Sequence, residues 1–168
     1  IINPVNYCGW DDLLASNPES TFFHTAASAK VLSETYNYRP LYFTIRDDNR
    51  LIALIPMMEV KSIFTGLRGV SLPFTDYCQA IITRRCQLQD MFGFVKEYGR
   101  KRNWKFIEIR GGDYPDETAV SFFYGHRLKL TPNSEQIFSR FDDATKRNIR
   151  KAIREGVEVN IHRSMYAV

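Results

Sequence analysis

Between Leu41 and Val60 the apolar residues abandon helical spacing for a period of two, and this stretch constrains the fold more than any other. Leu41, Phe43 and Ile45 alternate with Tyr42, Thr44 and Arg46, which sorts one strand into two faces. Asp47-Asp48-Asn49 supplies the turn residues that reverse the chain. Leu51 to Val60 is then nearly all apolar, the pattern of a strand covered on both faces and central in its sheet. Pro56 is the anomaly in that run. It has no N–H to give to a ladder, so it implies an edge position, a bulge or an early end.

The other segments arrange themselves around this hairpin. Trp10 to Ala15 reads as a short helix stopped near Asn17-Pro18. Thr25 to Tyr36 reads as a second helix, with Ala29, Leu32 and Tyr36 at helical spacing and Arg39-Pro40 ending it. Ser62 to Leu72 is a third extended segment with a bend at Gly66 and Gly69, and Tyr77 to Thr83 is a fourth. Leu88, Met91, Phe92, Val95 and Tyr98 mark a helix from about Cys86 to Arg102. Trp104 to Arg110 alternates as a strand, closed by Gly111-Gly112-Asp113. Glu117 to Phe123 fits neither pattern, and Gly125 to Leu130 reads as a strand. A last helix opens at Asn133, whose spacing to Gln136 resembles a capping box. Ile137, Phe138, Phe141, Ile149, Ala152 and Ile153 form its buried stripe, with a kink near Asp143–Thr145 and Gly156 as the residue after its end. Val157 to Ile161 is a closing strand. The order predicts an α/β chain of mixed α+β type: a mixed, largely antiparallel sheet covered by helices on both faces.

With 168 residues, 44% hydrophobic and 25% charged, the chain is long enough for a real core and unlike a disordered, collagen-like or coiled-coil sequence. No repeat or linker divides it, so 1–168 reads as a single domain. No run approaches the roughly 20 apolar residues of a membrane span. Ile1 to Trp10 lacks the basic-then-apolar order of a signal peptide. Cys8, Cys78 and Cys86 are too scattered for a disulfide framework or a metal-binding pair, which suits a reducing, cytoplasmic setting. Charge is uneven. Residues 1–83 carry 6 Lys/Arg against 8 Asp/Glu, and residues 84–168 carry 17 against 11. The basic second half suits phosphate, nucleotide or RNA, and equally a solvated helix face.

Four places carry candidate chemistry. Leu72-Pro73-Phe74-Thr75-Asp76-Tyr77 is a rigid corner at a strand end, which would set polar side chains at the rim of the sheet. There Asp76 could accept a proton from an attacking amine and Tyr77 could donate a hydrogen bond to it; a turn-capping Asp and a half-buried Tyr fit the same residues. Thr145 to Arg154 holds Lys146, Arg147, Arg150, Lys151 and Arg154 with no acid, several on one helix face, where phosphates could be bound. Glu108 and Arg110 lie two apart on one strand face, as a structural pair or with Glu108 in catalysis; Arg110, like Arg68, is a further candidate substrate-binding cation. Ile63 to Gly69, around Arg68, has two glycines at the wrong spacing for a phosphate-cradling loop, so no coenzyme A site is expected in this chain. His24, His126 and His162 stand far apart, and neither a zinc site nor a Cys–His nucleophile is legible.

Three passages together resemble the FemAB-like branch of the GNAT acyltransferase superfamily. They are Trp10 through Thr21-Phe22-Phe23-His24; Ile55-Pro56-Met57 with Ser71-Leu72-Pro73-Phe74-Thr75-Asp76-Tyr77; and Phe106-Ile107-Glu108-Ile109-Arg110 with Lys146-Arg147-Asn148-Ile149-Arg150-Lys151-Ala152 and Glu155-Gly156-Val157. The resemblance implies a GNAT-like fold and transfer of an acyl or aminoacyl group to an amine, in peptidoglycan or cell-envelope synthesis. It implies acyl-CoA or aminoacyl-tRNA as donor, an acceptor groove at the Asp76 corner, and an anionic precursor or tRNA as partner of the basic helix. Family members carry two related halves. The expectation is therefore that this chain is the first half, that 134–168 leads into a second half holding the donor groove, and that the first half alone is inactive. A cytoplasmic location, extending to the inner membrane face, completes that expectation.

Overall fold

The computed structural model describes residues 1–48, 50–75, 77–112, 120–121, 124–125 and 128–161, with Arg85 and Cys86 described in their backbone only. The chain divides into two compact units, Ile1–Thr118 and Ala119–Val168.

The first unit is a five-stranded, mostly antiparallel sheet flanked by helices. Its strands are β1 (Arg39–Asp47), β2 (Arg50–Ser62), β3 (Gly66–Val70), β4 (Ile81–Ile82) and β5 (Ile107–Glu108). The sheet order is β1-β2-β3-β5, with β4 paired to the first part of β2. The helices are α1 (Trp10–Ala15), α2 (Ala26–Tyr36) and α3 (Arg85–Lys101), with a single 3₁₀ turn at Phe22–His24. β3 and β5 are the one parallel pair among the described strands, and the connection between them carries α3.

The alternation in β1 and β2 does what the sequence pattern requires. Tyr42, Leu54 and Met58 join Trp10, Leu14, Ala29 and Leu32 in one core, while Leu41, Phe43, Ile55 and Met57 join Leu88, Met91, Phe92 and Val95 in the other. The register slips once. Ile45 faces Ala53 and Arg46 faces Leu51, so Ile52 is the extra residue of a bulge. That slip turns Leu51 into the first core although Ala53, two residues on, faces the second.

Pro56 is neither at an edge nor at an end. It is fully buried in the middle of β2, opposite Tyr42. Tyr42 exchanges both of its backbone hydrogen bonds with Ile2 on its far side, at 2.8 and 2.9 Å. The Tyr42–Pro56 pair is thus a non-hydrogen-bonded one, and the Pro56 nitrogen points away from β1. On that side β4 pairs with residues 53 and 54 and β3 with residues 58 to 62. Proline occupies the gap where β2 changes neighbours and no donor is asked for.

Several boundaries differ from the sequence reading. α2 stops at Asn37, which takes a left-handed φ of 56°, so Arg39-Pro40 opens β1 instead of ending the helix. Gly66 does bend the chain, at φ 73°, but Gly69 lies within β3. It is there because a Cβ would come within 2.2 Å of the Trp104 ring, which also lies against Gly99 of α3. β4 and β5 each shrink to two ladder residues, with single backbone bonds continuing beyond them, from the Lys105 N–H to the Leu67 carbonyl and from the Thr83 N–H to the Ile52 carbonyl.

In the second unit α4 (Ser134–Ser139) and α5 (Asp143–Arg154) are separate helices. The expected kink is a full interruption, because the Asp142 carboxylate accepts the Thr145 N–H at 2.6 Å and starts a new helix. Asn133 caps α4, its side chain accepting the N–H groups of Glu135 and Gln136, without the return bond from the Gln136 side chain that would complete a capping box. Gly156, at φ 74°, closes α5: its N–H reaches the Ile153 carbonyl and that of Val157 reaches Ala152. The expected buried stripe is not buried. No residue of α4 or α5 is buried, and Ile153 is 71% exposed. Two helices of 6 and 12 residues offer each other too little surface to enclose it. Among the described residues, 128–130 and 157–161 form no strand, although both alternate.

Candidate functional site

β3 and β5 run in the same direction and end at the same rim. Crevices at the carboxyl ends of parallel strands are where α/β sheets place ligands, because chain ends diverge there and leave polar backbone groups free. Here the segment after β3 is stitched to the segment after β5. The Ser71 N–H donates to the Glu108 carbonyl at 2.8 Å, the Arg110 N–H donates to Ser71 Oγ at 2.7 Å, and the Cys78 N–H donates to the Arg110 carbonyl at 3.2 Å.

The corner between Ser71 and Cys78 is strained. Leu72 and Phe74 have φ of 41° and 65°, a region that costs a residue with a Cβ about 1–2 kcal/mol. Burial of Leu72 and a hydrogen bond from Thr75 Oγ1 to the Leu72 carbonyl, at 2.8 Å, hold it in place. As a result Phe74 is turned outward, 63% exposed, onto the rings of Tyr36 and Tyr38 at 4.7 and 6.4 Å.

Two sequence-predicted site residues meet at this corner. Tyr77 is half exposed, donates its hydroxyl hydrogen to Gln79 Oε1, and lays its ring over Gly111. Gly111 has φ 79°, and a Cβ there would lie 2.5 Å from that ring, so only glycine fits. Arg110 donates from Nε to Glu108 Oε1 at 2.7 Å and from Nη1 to the Thr75 carbonyl at 3.2 Å. Glu108 and Arg110 thus form the structural pair, and it ties β5 to the corner. Asp76, the predicted proton acceptor, lies outside the described residues, as do His126 and His162. Arg68 does not come to the corner. Its guanidinium bonds Thr65 Oγ1 and lies over Phe106 at 5.7 Å, toward the opposite end of β3.

Under the corner lies a Cys–His contact that no sequence spacing announced. His24 is fully buried; its Nδ1 accepts the Thr21 N–H at 3.0 Å, and its Nε2 faces the Gln79 carbonyl at 3.1 Å and Cys78 Sγ at 3.5 Å. With Nδ1 accepting, the proton sits on Nε2 and points at Gln79. Burial holds His24 below its ordinary value despite the bonds to Gln79 and Thr21, and burial pushes the Cys78 thiol up to about 12. The imidazole has no free lone pair for the thiol proton, so the pair is a structural tie and not a nucleophile.

Glu59 is the group sequence reading passed over. It is a lone carboxylate inside the apolar run of β2, 6% exposed, and that isolation was its signal. It accepts Arg102 Nε and Nη2 at 3.0 and 2.9 Å and Trp104 Nε1 at 2.7 Å, with Arg39 at 3.7 Å. Burial pushes its carboxyl up, but the bonds from Arg102 and Trp104 and the charges of Arg102 and Arg39 outweigh it and hold it below the ordinary value. This cluster fixes the turn between α3 and β5.

α5 carries Lys146, Arg147, Arg150, Lys151 and Arg154, several of them at spacings that fall on one helix face. Lys146 and Lys151 stand 3.8 Å from Asp143 and Glu155, and Arg150 covers the Phe138 ring at 5.4 Å. Arg147 and Arg154 have no ion-pair partner among the described residues. Among those residues no cluster of His, Cys, Asp and Glu could hold a metal ion, and no helix is long and apolar enough to cross a membrane. No protein-family model and no curated protein sequence matches the chain.

Proposed function

We propose that the chain is a module of a FemAB-like acyl or aminoacyl transferase and that the corner at the ends of β3 and β5 receives the amine-bearing acceptor. The carrying observation is the corner itself: a strained loop, tied at Ser71, Thr75 and Cys78, brings Tyr77 and Arg110 together at the carboxyl ends of the parallel pair. In this reading the Tyr77 hydroxyl turns its one hydrogen from Gln79 Oε1 to the acceptor, Asp76 takes the proton of the attacking amine, and Arg110 and Glu108 keep the rim rigid. The amine attacks an ester or thioester carbonyl supplied by aminoacyl-tRNA or acyl-CoA, and the donor groove lies in a second, related half. A peptidoglycan or other cell-envelope precursor is the acceptor class, met in the cytoplasm or at the inner membrane face.

The test is transfer of a labelled amino acid from aminoacyl-tRNA, or of an acyl group from acyl-CoA, to the free amine of a precursor peptide. The protein would be this chain joined to its companion half. Folded protein that transfers from neither donor refutes the reading. Tyr77→Phe, which keeps the ring on Gly111, should weaken acceptor binding and leave donor binding unchanged.

A second reading rests on α5. Its one-sided face, with Arg147 and Arg154 unpaired among the described residues, suits a non-catalytic module for RNA or an anionic sugar-phosphate. It predicts affinity that falls steeply with salt and drops on Arg147→Gln/Arg154→Gln; salt-independent binding excludes it.

A further inference from the structure

The β2–β3 hairpin ends in a feature that neither core nor corner uses. Ile63 and Phe64, side by side at its tip, are 99% and 97% exposed. Single exposed apolar residues are ordinary on a protein surface, but two adjacent large ones on a tight turn are not. Two donors of the turn are paired within it: Ser62 Oγ accepts the N–H of Phe64 at 3.2 Å and that of Thr65 at 3.4 Å. Donors that are already paired can approach a medium that offers no hydrogen bonds.

Cations surround the base of the tip. Lys61 and Arg68 lie on the two strands, facing Leu67 and Val60 across the ladder. The Lys105 stem passes beside Gly66, where a Cβ would meet its Cγ at 3.1 Å, and its N–H donates to the Leu67 carbonyl at 2.8 Å. Phe106, 45% exposed, lies beneath the Arg68 guanidinium. From Val60 to Thr75 the chain has these two cations and no carboxylate, and the neighbouring Glu59 is committed to Arg102 and Arg39.

We propose that this hairpin tip is a wedge that inserts into an anionic lipid surface, with Ile63 and Phe64 entering the acyl boundary and Lys61, Arg68 and Lys105 meeting the headgroups. The shape and the charge both favour a bilayer over a protein pocket. The tip is convex and only two residues wide, and lysines are depleted from the cores of protein interfaces but attracted to anionic headgroups, toward which their stems reach. The inference does not depend on the transfer chemistry.

The experiment is cosedimentation of the intact chain with phosphatidylcholine vesicles, with and without about one-third phosphatidylglycerol. Binding should require the anionic lipid. Ile63→Ser/Phe64→Ser should weaken it about a hundredfold or more, with an unchanged thermal melt, because neither side chain packs on anything. Lys61→Gln/Lys105→Gln should weaken it about fivefold per charge. Phe64→Trp should show a blue-shifted emission on those vesicles. The proposal is overturned by no vesicle binding, by binding that survives Ile63→Ser/Phe64→Ser, or by a Phe64→Trp emission that stays at its aqueous position. It is also overturned if the serine pair abolishes self-association or capture of another protein and leaves vesicle binding intact.

Discussion

Glu59→Gln keeps the side-chain shape and removes one charge from the buried cluster. The carboxylate accepts one Arg102 N–H on Oε1, and another Arg102 N–H together with the indole N–H on Oε2. An amide has a single acceptor oxygen. Its best orientation keeps that oxygen on Arg102 Nε and Trp104 Nε1, which turns the –NH2 toward Arg102 Nη2, donor against donor. Breaking a fully buried ion pair costs about 3–5 kcal/mol. A single hydrogen bond to a charged group contributes about 1.5–3 kcal/mol. Arg102 is 43% exposed, so water replaces part of what it loses, and the lower range applies: about 2 kcal/mol.

Urea unfolding followed by tryptophan emission measures this directly, as a lower midpoint with unchanged slope at pH 7. The pH dependence gives a second arm. The folded carboxyl lies below its ordinary value of 4.5. Its stabilisation is therefore complete above that value and lost as pH falls through the depressed folded value. The gap between wild type and Glu59→Gln should accordingly narrow below about pH 4.5, where a protonated glutamate resembles the amide. A loss under about 0.5 kcal/mol at pH 7, or a gap that stays constant down to about pH 3, would refute the reasoning.

Gly69→Ala should destabilise by about 1–3 kcal/mol, because the new methyl overlaps the Trp104 ring seated between β3 and α3; a melt within 0.5 kcal/mol, roughly, of wild type would show that the seat is loose. Cys8 is exposed and should alkylate in the native protein at pH 8, whereas Cys78, buried and shifted to about 12, should react only in denaturant, as read by peptide mass mapping. His24 is held below its ordinary 6.5, so its neutral form is the one the fold binds. Stability should be full above that value and fall as pH drops through the lower folded value, and His24→Gln should flatten that part of the profile.

What could be read from the sequence was what depends on near neighbours. The β1–β2 hairpin, α1, α3, the Asn133 cap and the Gly156 terminator each rest on signals within a few residues of one another. At the corner Pro73 fixes only its own φ; the left-handed φ of Leu72, 41°, runs against the extended backbone a pre-proline residue favours and was not legible. That Tyr77 and Arg110 belong to one place was not legible, because the parallel pairing of β3 with β5 brings them together across more than thirty residues. The same holds for Cys78 on His24 and for Arg102 and Trp104 on Glu59, contacts spanning 54, 43 and 45 positions. Long-range pairing also reverses the meaning of individual residues. Pro56 argued locally against a central strand, yet a central strand that exchanges one neighbour for another along its length has one position where no donor is wanted, and there proline costs the ladder nothing. Gly69 read as a bend for want of a side chain, when the missing side chain is the space that Trp104 occupies. A residue that breaks a local rule inside an otherwise consistent strand is thus better read as a statement about its neighbours in space than as evidence against the strand.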